Sequence, residues 1–193
     1  MIKKVLIIIL AFNVISLIQS CCTEEYQYKW TDFSIGILDN SGEYPVLIEN
    51  KEVNKKALGL RVTFQDTVIY LAQNFKLMNE CYATSCGETY TRTNNLSTIK
   101  IITVLDYSSK YPKDSDITKL FMARESGNTK SPYISIAQII SNVNGSSYNY
   151  GYRDFDLYLI DTTAIIGEQR FEVQLTMSDG NIFIQESETL KFY

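Results

Sequence analysis

Carboxylates are the side chains of this chain best placed for acid–base chemistry, because the sequence contains no histidine. Serine and cysteine nucleophiles that depend on an imidazole base are therefore excluded, as are histidine-ligated zinc and haem. Asp154 and Asp156 flank a single residue, so in a strand they would point to the same side, as the acid and base of a glycosidase could. Solvated strand faces carry such pairs routinely, and no phosphate-binding loop or GxGxxG motif is present. We therefore expect no catalytic residues and no enzyme.

The polar segments also do not favour a metal site. Asp106, Asp114 and Asp116 lie in DYSSKYPKDSD and could supply oxygen ligands to calcium, but their spacing is not that of an EF-hand loop. A turn followed by Asp116 as the N-cap of a short helix is the preferred interpretation. Cys81 and Cys86 would fill half a zinc shell that no histidine completes. We expect no metal and no cofactor.

Aromatic residues offer one candidate binding surface. Tyr148, Tyr150 and Tyr152 alternate in SSYNYGYRDFDLY and would share one side of an extended segment. Tyrosine rings can stack on the apolar faces of sugars while their hydroxyls bond to sugar hydroxyls. Together with Trp30 they form a candidate glycan-binding surface, but the preferred interpretation is that they are ordinary amphipathic residues at a sheet edge or beneath loops.

The N-terminus has the pattern of an export signal. Lys3 and Lys4 precede an apolar run from residue 5 to residue 18, which is shorter than the roughly 20 residues needed to span a bilayer. A positive start, a short apolar segment and a small residue at Ser20 favour a cleaved secretory signal over residues 1–20. We expect the remaining chain to leave the cytoplasm.

The end of this signal resembles the lipobox of bacterial lipoproteins. The stretch Ile18-Gln19-Ser20-Cys21 matches that motif, although a residue smaller than Gln19 is usual. The resemblance implies that Cys21 is acylated on sulfur and becomes the new N-terminus, tying the protein to the lipid bilayer. Glu24 and Glu25 resemble the export signals of Bacteroidota surface lipoproteins. The alternative is a secreted protein with a disulfide at Cys21 or Cys22.

The other cysteines allow more than one pairing. Acylation of Cys21 would leave Cys22, Cys81 and Cys86, which is an odd number. Cys81 and Cys86 could close a small disulfide loop in CYATSC, since an exported protein meets oxidising conditions. Cys22 could instead pair with either of them, and spacing alone does not decide.

The charge of the chain excludes one class of partner. The sequence has 22 acidic and 18 basic residues, a net charge of −4. Loss of Lys3 and Lys4 with the signal leaves 16 basic residues and a net charge of 16 − 22 = −6. Nucleic-acid binding needs clustered lysine and arginine, so we expect no nucleic-acid partner. Anionic headgroups should repel the domain, so an anchor would have to be the lipid itself.

The elements that must position these residues are mainly strands. Residues alternate between apolar and polar in FSIGIL, ALGLRVTF and FDLYL, while STIKIITVL has the composition of a central strand. FEVQLTM and NIFIQ flank the turn signal Ser178-Asp179-Gly180 and predict a hairpin. Ser135 and Gln138 fit a capping box before a helix, and SDITKLF could add one or two helical turns.

This pattern predicts a mainly β fold, an antiparallel two-sheet sandwich resembling the immunoglobulin fold, with one or two short helices in connections. We assign a lipidated polar tether to residues 21–29 and a single β-sandwich domain to residues 30–193. The order of DNSGEYP, KKALGLRVTF, CYATSC, STIKIITVLDY, PKDSDITKLF and the terminal SDG hairpin resembles an uncharacterised family of Bacteroidota lipoproteins. The resemblance implies location and a β-rich fold, and no catalytic residues.

The function expected from the sequence is that of a membrane-anchored envelope lipoprotein of unknown molecular activity. It would be a non-enzymatic binding or assembly module of the bacterial outer membrane, and its orientation, towards the periplasm or towards the outside, stays open. Its expected partners are the bilayer, through Cys21, and another envelope protein. The alternative is a glycan-binding surface lipoprotein that uses the aromatic residues named above.

Overall fold

The chain folds mainly into strands, as the alternating pattern predicts. A computed structural model describes residues 24–49, 51–70, 88–126, 130–145, 153–162 and 165–193. Within them the strands, in chain order, are β1 (Glu24–Asp39), β2 (Val46–Leu47), β3 (Glu52–Val53), β4 (Leu58–Tyr70), β5 (Glu88–Arg92), β6 (Leu96–Thr103), β7 (Phe121–Glu125), β8 (Asp154–Leu159), β9 (Phe171–Met177), β10 (Ile182–Glu186) and β11 (Lys191–Phe192).

The strands form a sandwich-like arrangement of sheets, which confirms the predicted fold class. The largest sheet has the order β2-β1-β4-β8-β7, with β5 added beside β1, and a second sheet has the order β10-β9-β6. A short pair, β11 and β3, completes the set. Most pairs are antiparallel, whereas β5 on β1 and β11 on β3 are parallel, which the sequence did not indicate.

The core lies between the two larger sheets. Strand alternation sends Phe33 and Ile37 of β1 and Leu60 of β4 to the same face, where they meet Val173 and Leu175 of β9 in one buried cluster. Removal of these apolar side chains from water supplies the main driving force for folding. The opposite face of β4 and β8 is consequently the outer face of the large sheet.

The first strand begins earlier than the sequence analysis placed it. Residues 24–29, assigned there to a polar tether, belong to β1, which pairs with β4 from Tyr26 opposite Tyr70 onwards. The physical reason is aromatic alternation, because Tyr28 and Trp30 turn into the protein and both are buried. Residues 24–29 are therefore part of the folded domain and not of an unpaired tether.

Within the described residues, one α-helix and two short 3₁₀ turns accompany the strands. Helix α1 (Ile136–Gly145) starts at the predicted capping box, in which the amide of Gln138 donates to Ser135 Oγ and the amide of Ser135 donates to Gln138 Oε1. The 3₁₀ turns cover Lys55–Ala57 and Thr118–Leu120. In the part of the chain that the structure describes, no helix is both long and apolar enough to span a bilayer.

The predicted hairpin is confirmed, and the predicted central strand is not central. β9 and β10 are joined by a turn in which Gly180 has a φ of 86°, a conformation that glycine adopts without a steric penalty. β6 stands at the end of its sheet. Its free edge is closed by a neighbouring segment, since the amide of Ile101 donates to Thr118 Oγ1 and the amide of Thr103 donates to the carbonyl of Ser115. The second half of β6, where Ile101 and Thr103 are buried, is therefore covered although no strand flanks it.

Candidate functional site

Most of the residues predicted to carry function lie outside the described residues. They are the lipidation residue, its neighbour, both disulfide candidates and the three tyrosines of the glycan hypothesis: Cys21, Cys22, Cys81, Cys86, Tyr148, Tyr150 and Tyr152. Acylation at Cys21, the disulfide and the tyrosine surface therefore stay predictions.

Trp30, the described member of the glycan hypothesis, lies in the core. It is 4% exposed and stacks on Phe64, with ring centroids 4.0 Å apart and planes at 8°. The Arg92 guanidinium covers the other side, 4.2 Å from the ring centroid. Both faces of the indole are occupied from within the protein, so the structure does not present Trp30 to a sugar.

Asp106 and Asp116, in the loop after β6, accept hydrogen bonds within turns, but the N-cap of the following 3₁₀ turn is Ile117 and not, as was predicted, Asp116. Asp116 Oδ1 accepts from the amide and the hydroxyl of Thr118, at 2.9 and 2.6 Å, at the start of the short 3₁₀ turn. Asp106 Oδ1 accepts from the amide of Lys113 at 2.8 Å. Among the described residues, no three potential metal-ligating side chains of the His, Cys, Asp and Glu types come together.

The outer face of the large sheet carries an ordered group of polar side chains. Strand register places Arg61 of β4 opposite Asp156 of β8, and Asp156 opposite Arg124 of β7, so that three charged residues form a row across three strands. Two tyrosines and an asparagine join this row. We call the set the outer polar cluster, and its members are Arg61, Asp156, Arg124, Tyr158, Tyr133 and Asn40.

The centre of the outer polar cluster is the pair Arg61–Asp156. Arg61 Nε donates to Asp156 Oδ1 at 2.7 Å and Nη2 donates to Oδ2 at 3.0 Å, which is the bidentate geometry of a strong charge-assisted contact. Asp156 is fully buried, whereas the Arg61 side chain is 19% exposed. The hydrogen bond from Arg61 to Asp156 outweighs burial and raises the pKa of Arg61. Asp154, on the same face, acts on Arg61 in the same direction.

Tyr158 connects this pair to the second arginine. Its hydroxyl donates to Asp156 Oδ2 at 3.1 Å and accepts from Arg124 Nη2 at 2.9 Å. Burial, and then the Asp156 charge, raise the pKa of Tyr158 well above its usual value. The ring lies over Gly59, where an added Cβ would meet Tyr158 Cε1 at 3.0 Å. The glycine therefore provides the space that lets the ring lie flat across β4.

Arg124 is held by aromatic rings and forms no ion pair with any described carboxylate. It is 7% exposed, and its guanidinium lies 4.8 Å from the Tyr158 ring and 5.2 Å from the Tyr133 ring. Its Nη2 donates to Tyr158 and, at 3.4 Å, to Asn40 Oδ1, while Asn40 Nδ2 donates to Tyr133 Oη at 2.9 Å. Its Nε is buried and has no hydrogen-bond partner.

The geometry of the outer polar cluster suits recognition rather than proton transfer. Both oxygens of Asp156 already accept strong hydrogen bonds from Arg61, so this carboxylate is poorly placed to exchange a proton with a substrate. Sequence reasoning predicted that Asp154 and Asp156 would share a face, and strand alternation confirms it. Sequence reasoning did not single out Arg61 or Arg124. Each could have been noticed as an arginine within a mainly apolar strand, Arg61 in ALGLRVTF and Arg124 in LFMARE.

Comparison with known proteins gives a family and no further match. The model of DUF5034, a domain of unknown function, matches residues 31–188, which include every member of the outer polar cluster. No curated protein and no solved structure matched the chain. Because the match extends over most of its length, the chain belongs to the DUF5034 family, whose domain has no known function.

Proposed function

We propose that this protein is a bacterial cell-envelope lipoprotein, acylated at Cys21, whose β-sandwich domain is a non-enzymatic binding or assembly module. The observation that carries the proposal is the position of β1. Only two residues separate Cys21 from Glu24, where β1 begins, so the strand starts within about 11 Å of the anchoring residue. An acyl chain on Cys21 would hold this end of the sandwich close to the outer membrane.

The same strand directs the outer polar cluster away from the anchored end. β1 has 16 residues and spans about 50 Å at the usual rise. Arg61 pairs with Gly36, which is about 40 Å along the strand from Glu24, and Asn40 follows its last residue. Exposed apolar side chains lie nearby, at Tyr44, Val46 and Leu47. A protein partner in the envelope could therefore reach these residues without hindrance from the bilayer.

Fractionation of cells of the native host tests the anchor. The wild-type protein should remain with the membrane fraction after a high-salt wash, because a lipid anchor, unlike an ionic contact, resists salt. Cys21→Ala should move the protein out of that fraction. Cys22→Ala is the matched control and should remain with the membrane. Equal behaviour of the two variants would contradict acylation at Cys21.

Site-specific photo-crosslinking in the same cells tests the binding role. A photoreactive residue at Tyr44, beside the outer polar cluster, should give a discrete adduct with one protein. Lys100 is the control position, because it is exposed on β6 of the other sheet. Adducts of equal yield at both positions, or none at Tyr44, would contradict a partner at this end. The glycan alternative receives no support from the described residues, because Trp30 is buried.

A further inference from the structure

We propose that Arg124 is the centre of a binding site for a carboxylate group, supplied by an acidic side chain of a protein partner. The proposal rests on the proposed binding function and gives the chemistry of the contact. Tyr133 covers the site and must move for the carboxylate to enter. Four observations lead to it: an unused donor, a charge without a counter-ion, the shape of the surroundings, and an exposed covering residue.

The unused donor is Arg124 Nε. The residue is 7% exposed, and its Nε has no hydrogen-bond partner, although the neighbouring Nη2 donates to Tyr158 Oη at 2.9 Å. A buried donor without a partner costs about 1–3 kcal/mol and is rare in native proteins. An acceptor that approached the Nε edge of the guanidinium would recover that cost.

The charge of Arg124 also has no counter-ion within 4 Å in the part of the chain that the structure describes. A guanidinium stays protonated at any physiological pH, and burial of a charge is costly unless it is paired. Asp156 binds Arg61 with both oxygens, and Asp154 acts on Arg61 as well. Over the described residues, no carboxylate lies within 4 Å of Arg124, and the Tyr158 hydroxyl to which it donates is itself bonded to Asp156.

The surroundings fit a flat, singly charged group. The rings of Tyr133 and Tyr158 are 5.3 Å apart at 76°, and the guanidinium contacts both. A carboxylate is planar and matches the fork of an arginine edge. A phosphate would match the same fork, but the chain is itself acidic, at −4, which disfavours a ligand of higher negative charge.

Tyr133 is the side chain that opens and closes the site. It is 43% exposed, and one hydrogen bond from Asn40 Nδ2 to its Oη holds the ring in place. Exposed side chains change rotamer within nanoseconds, so displacement of this ring is fast and needs no movement of the sheet. The exposed Tyr44, Val46 and Leu47 beside Asn40 offer apolar contact to the residues that flank an acidic side chain.

Nuclear magnetic resonance of the arginine Nε–Hε groups tests the site directly. The full mature protein, labelled with ¹⁵N in detergent micelles, is titrated with sodium acetate, and sodium chloride and sodium phosphate serve as controls at equal ionic strength. We expect a saturable shift of the Arg124 resonance with acetate. The Arg61 resonance is the internal reference and should stay constant, because its Nε is already bonded to Asp156. Equal shifts with all three salts, or saturation with phosphate alone, would overturn the proposal.

Two variants test the role of Tyr133 and of the Nε edge. Tyr133→Ala should bind acetate about threefold more tightly or better, because the ligand no longer has to displace the ring. Arg124→Lys keeps the charge but removes the fork, and should bind at least about tenfold more weakly, as followed on the Tyr133 ring resonances. Unchanged affinity in a folded Arg124→Lys variant would overturn the proposal.

The source of the carboxylate is tested with two model ligands. N-acetyl-glutamate amide represents a protein side chain and glucuronate represents an acidic sugar. Tighter binding of the glutamate derivative supports the protein partner, whereas tighter binding of glucuronate overturns that part of the proposal. None of these titrations depends on acylation of Cys21. A failed titration with an intact membrane anchor would therefore reject the carboxylate site and leave the lipoprotein assignment standing.

Discussion

Arg61 on β4 and Asp156 on β8 face each other across adjacent strands and form a bidentate ion pair, with Nε–Oδ1 at 2.7 Å and Nη2–Oδ2 at 3.0 Å. The pairing of β4 with β8 places both charges in largely buried positions, where each would be costly alone. The ion pair compensates for this burial and holds the two side chains together. Arg61 thus engages both oxygens of Asp156, and Arg124, on the strand at the other side of β8, has no described carboxylate within 4 Å and meets Asp156 through the Tyr158 hydroxyl.

Loss of the buried carboxylate should destabilise the domain. Asp156→Asn keeps the shape but leaves Arg61 without its partner, and we expect a loss of about 3 kcal/mol, the lower end of the range for broken buried pairs because Arg61 is one-fifth exposed. Urea unfolding measures the loss as a lower midpoint with an unchanged slope. The exposed pair Lys51–Glu188 is the control, and Lys51→Ala should change the midpoint little. Equal losses in the two variants would contradict a structural role for the Arg61–Asp156 pair.

Addition of one methyl group at Gly59 should also be harmful. An alanine Cβ at this position would meet Tyr158 Cε1 at 3.0 Å and Leu38 Cβ at 3.1 Å. Neither neighbour can withdraw, since Leu38 Cβ is fixed to the strand and Tyr158 is held by Asp156 and Arg124. We expect Gly59→Ala to cost about 1–3 kcal/mol in thermal or urea unfolding. Gly145→Ala, where nothing lies within 4 Å, is the control and should be neutral or stabilising.

Arg92 should stabilise the end of helix α1. Its Nη1 donates to the carbonyl of Val143 at 3.0 Å and its Nη2 to that of Asn144 at 2.6 Å, which satisfies two of the carbonyls left free at a helix C-terminus. Burial lowers the pKa of Arg92, as expected for a charge taken from water. Arg92→Met keeps the aliphatic length and should cost about 2 kcal/mol.

Fluorescence can report this change directly, because Trp30 is the single tryptophan of the chain and lies under the Arg92 guanidinium. We expect altered Trp30 emission and faster amide exchange in the last turn of α1 in the Arg92→Met variant. Arg92→Lys is the control and should retain part of the stability. Unchanged exchange in Arg92→Met would show that the helix end does not depend on this contact.

The free energy of unfolding should fall in alkaline solution. Burial raises the pKa of Tyr107, whose hydroxyl donates to the carbonyl of Asp161, and likewise the pKa of Tyr158. Above a pH of about 10 these tyrosines lose their protons in the unfolded chain and keep them in the folded protein. The folded state then binds more protons, so the stabilisation is complete below pH 10 and is lost as the pH rises. Each group should contribute a slope of about 1.4 kcal/mol per pH unit.

Urea midpoints measured between pH 9 and pH 11 test this expectation. Tyr107→Phe should lower the stability at neutral pH, since the carbonyl of Asp161 loses its hydrogen-bond donor. It should also reduce the loss of stability between pH 9 and pH 11 by about 1.4 kcal/mol in total, because the unfolded tyrosine is half deprotonated at the middle of this range. A slope that is identical in the wild-type protein and in Tyr107→Phe would contradict the raised pKa.

Local patterns in the sequence predicted the local structure well. The capping box at Ser135 and Gln138, the hairpin before Gly180 and the alternating segments of β4 and β8 were all readable, because each depends on residues close together in the chain. The outer polar cluster could not be predicted from the sequence. Arg61 and Asp156 are 95 positions apart, and only the pairing of β4 with β8 brings them together.

Trp30 was predicted as part of a candidate exposed binding surface, but it is buried. The sequence predicts a candidate glycan surface that includes Trp30 and a tether that ends just before it, at residue 29. In the structure the pairing of β1 with β4 continues through this segment, and the indole is buried between Phe64 and Arg92. The face of β1 that is covered depends on where β4 and β5 lie, and this cannot be inferred from the sequence of β1 alone.

The intact mass of the mature protein from its native host, measured with and without reductant, tests the central claim most directly. The account predicts cleavage before Cys21 together with the added mass of acyl chains, and a gain of two hydrogens on reduction if two of Cys22, Cys81 and Cys86 are joined. A mass that begins at Cys21 or elsewhere without acyl chains would contradict the lipid anchor, and with it the proposal that this domain works at the surface of a membrane.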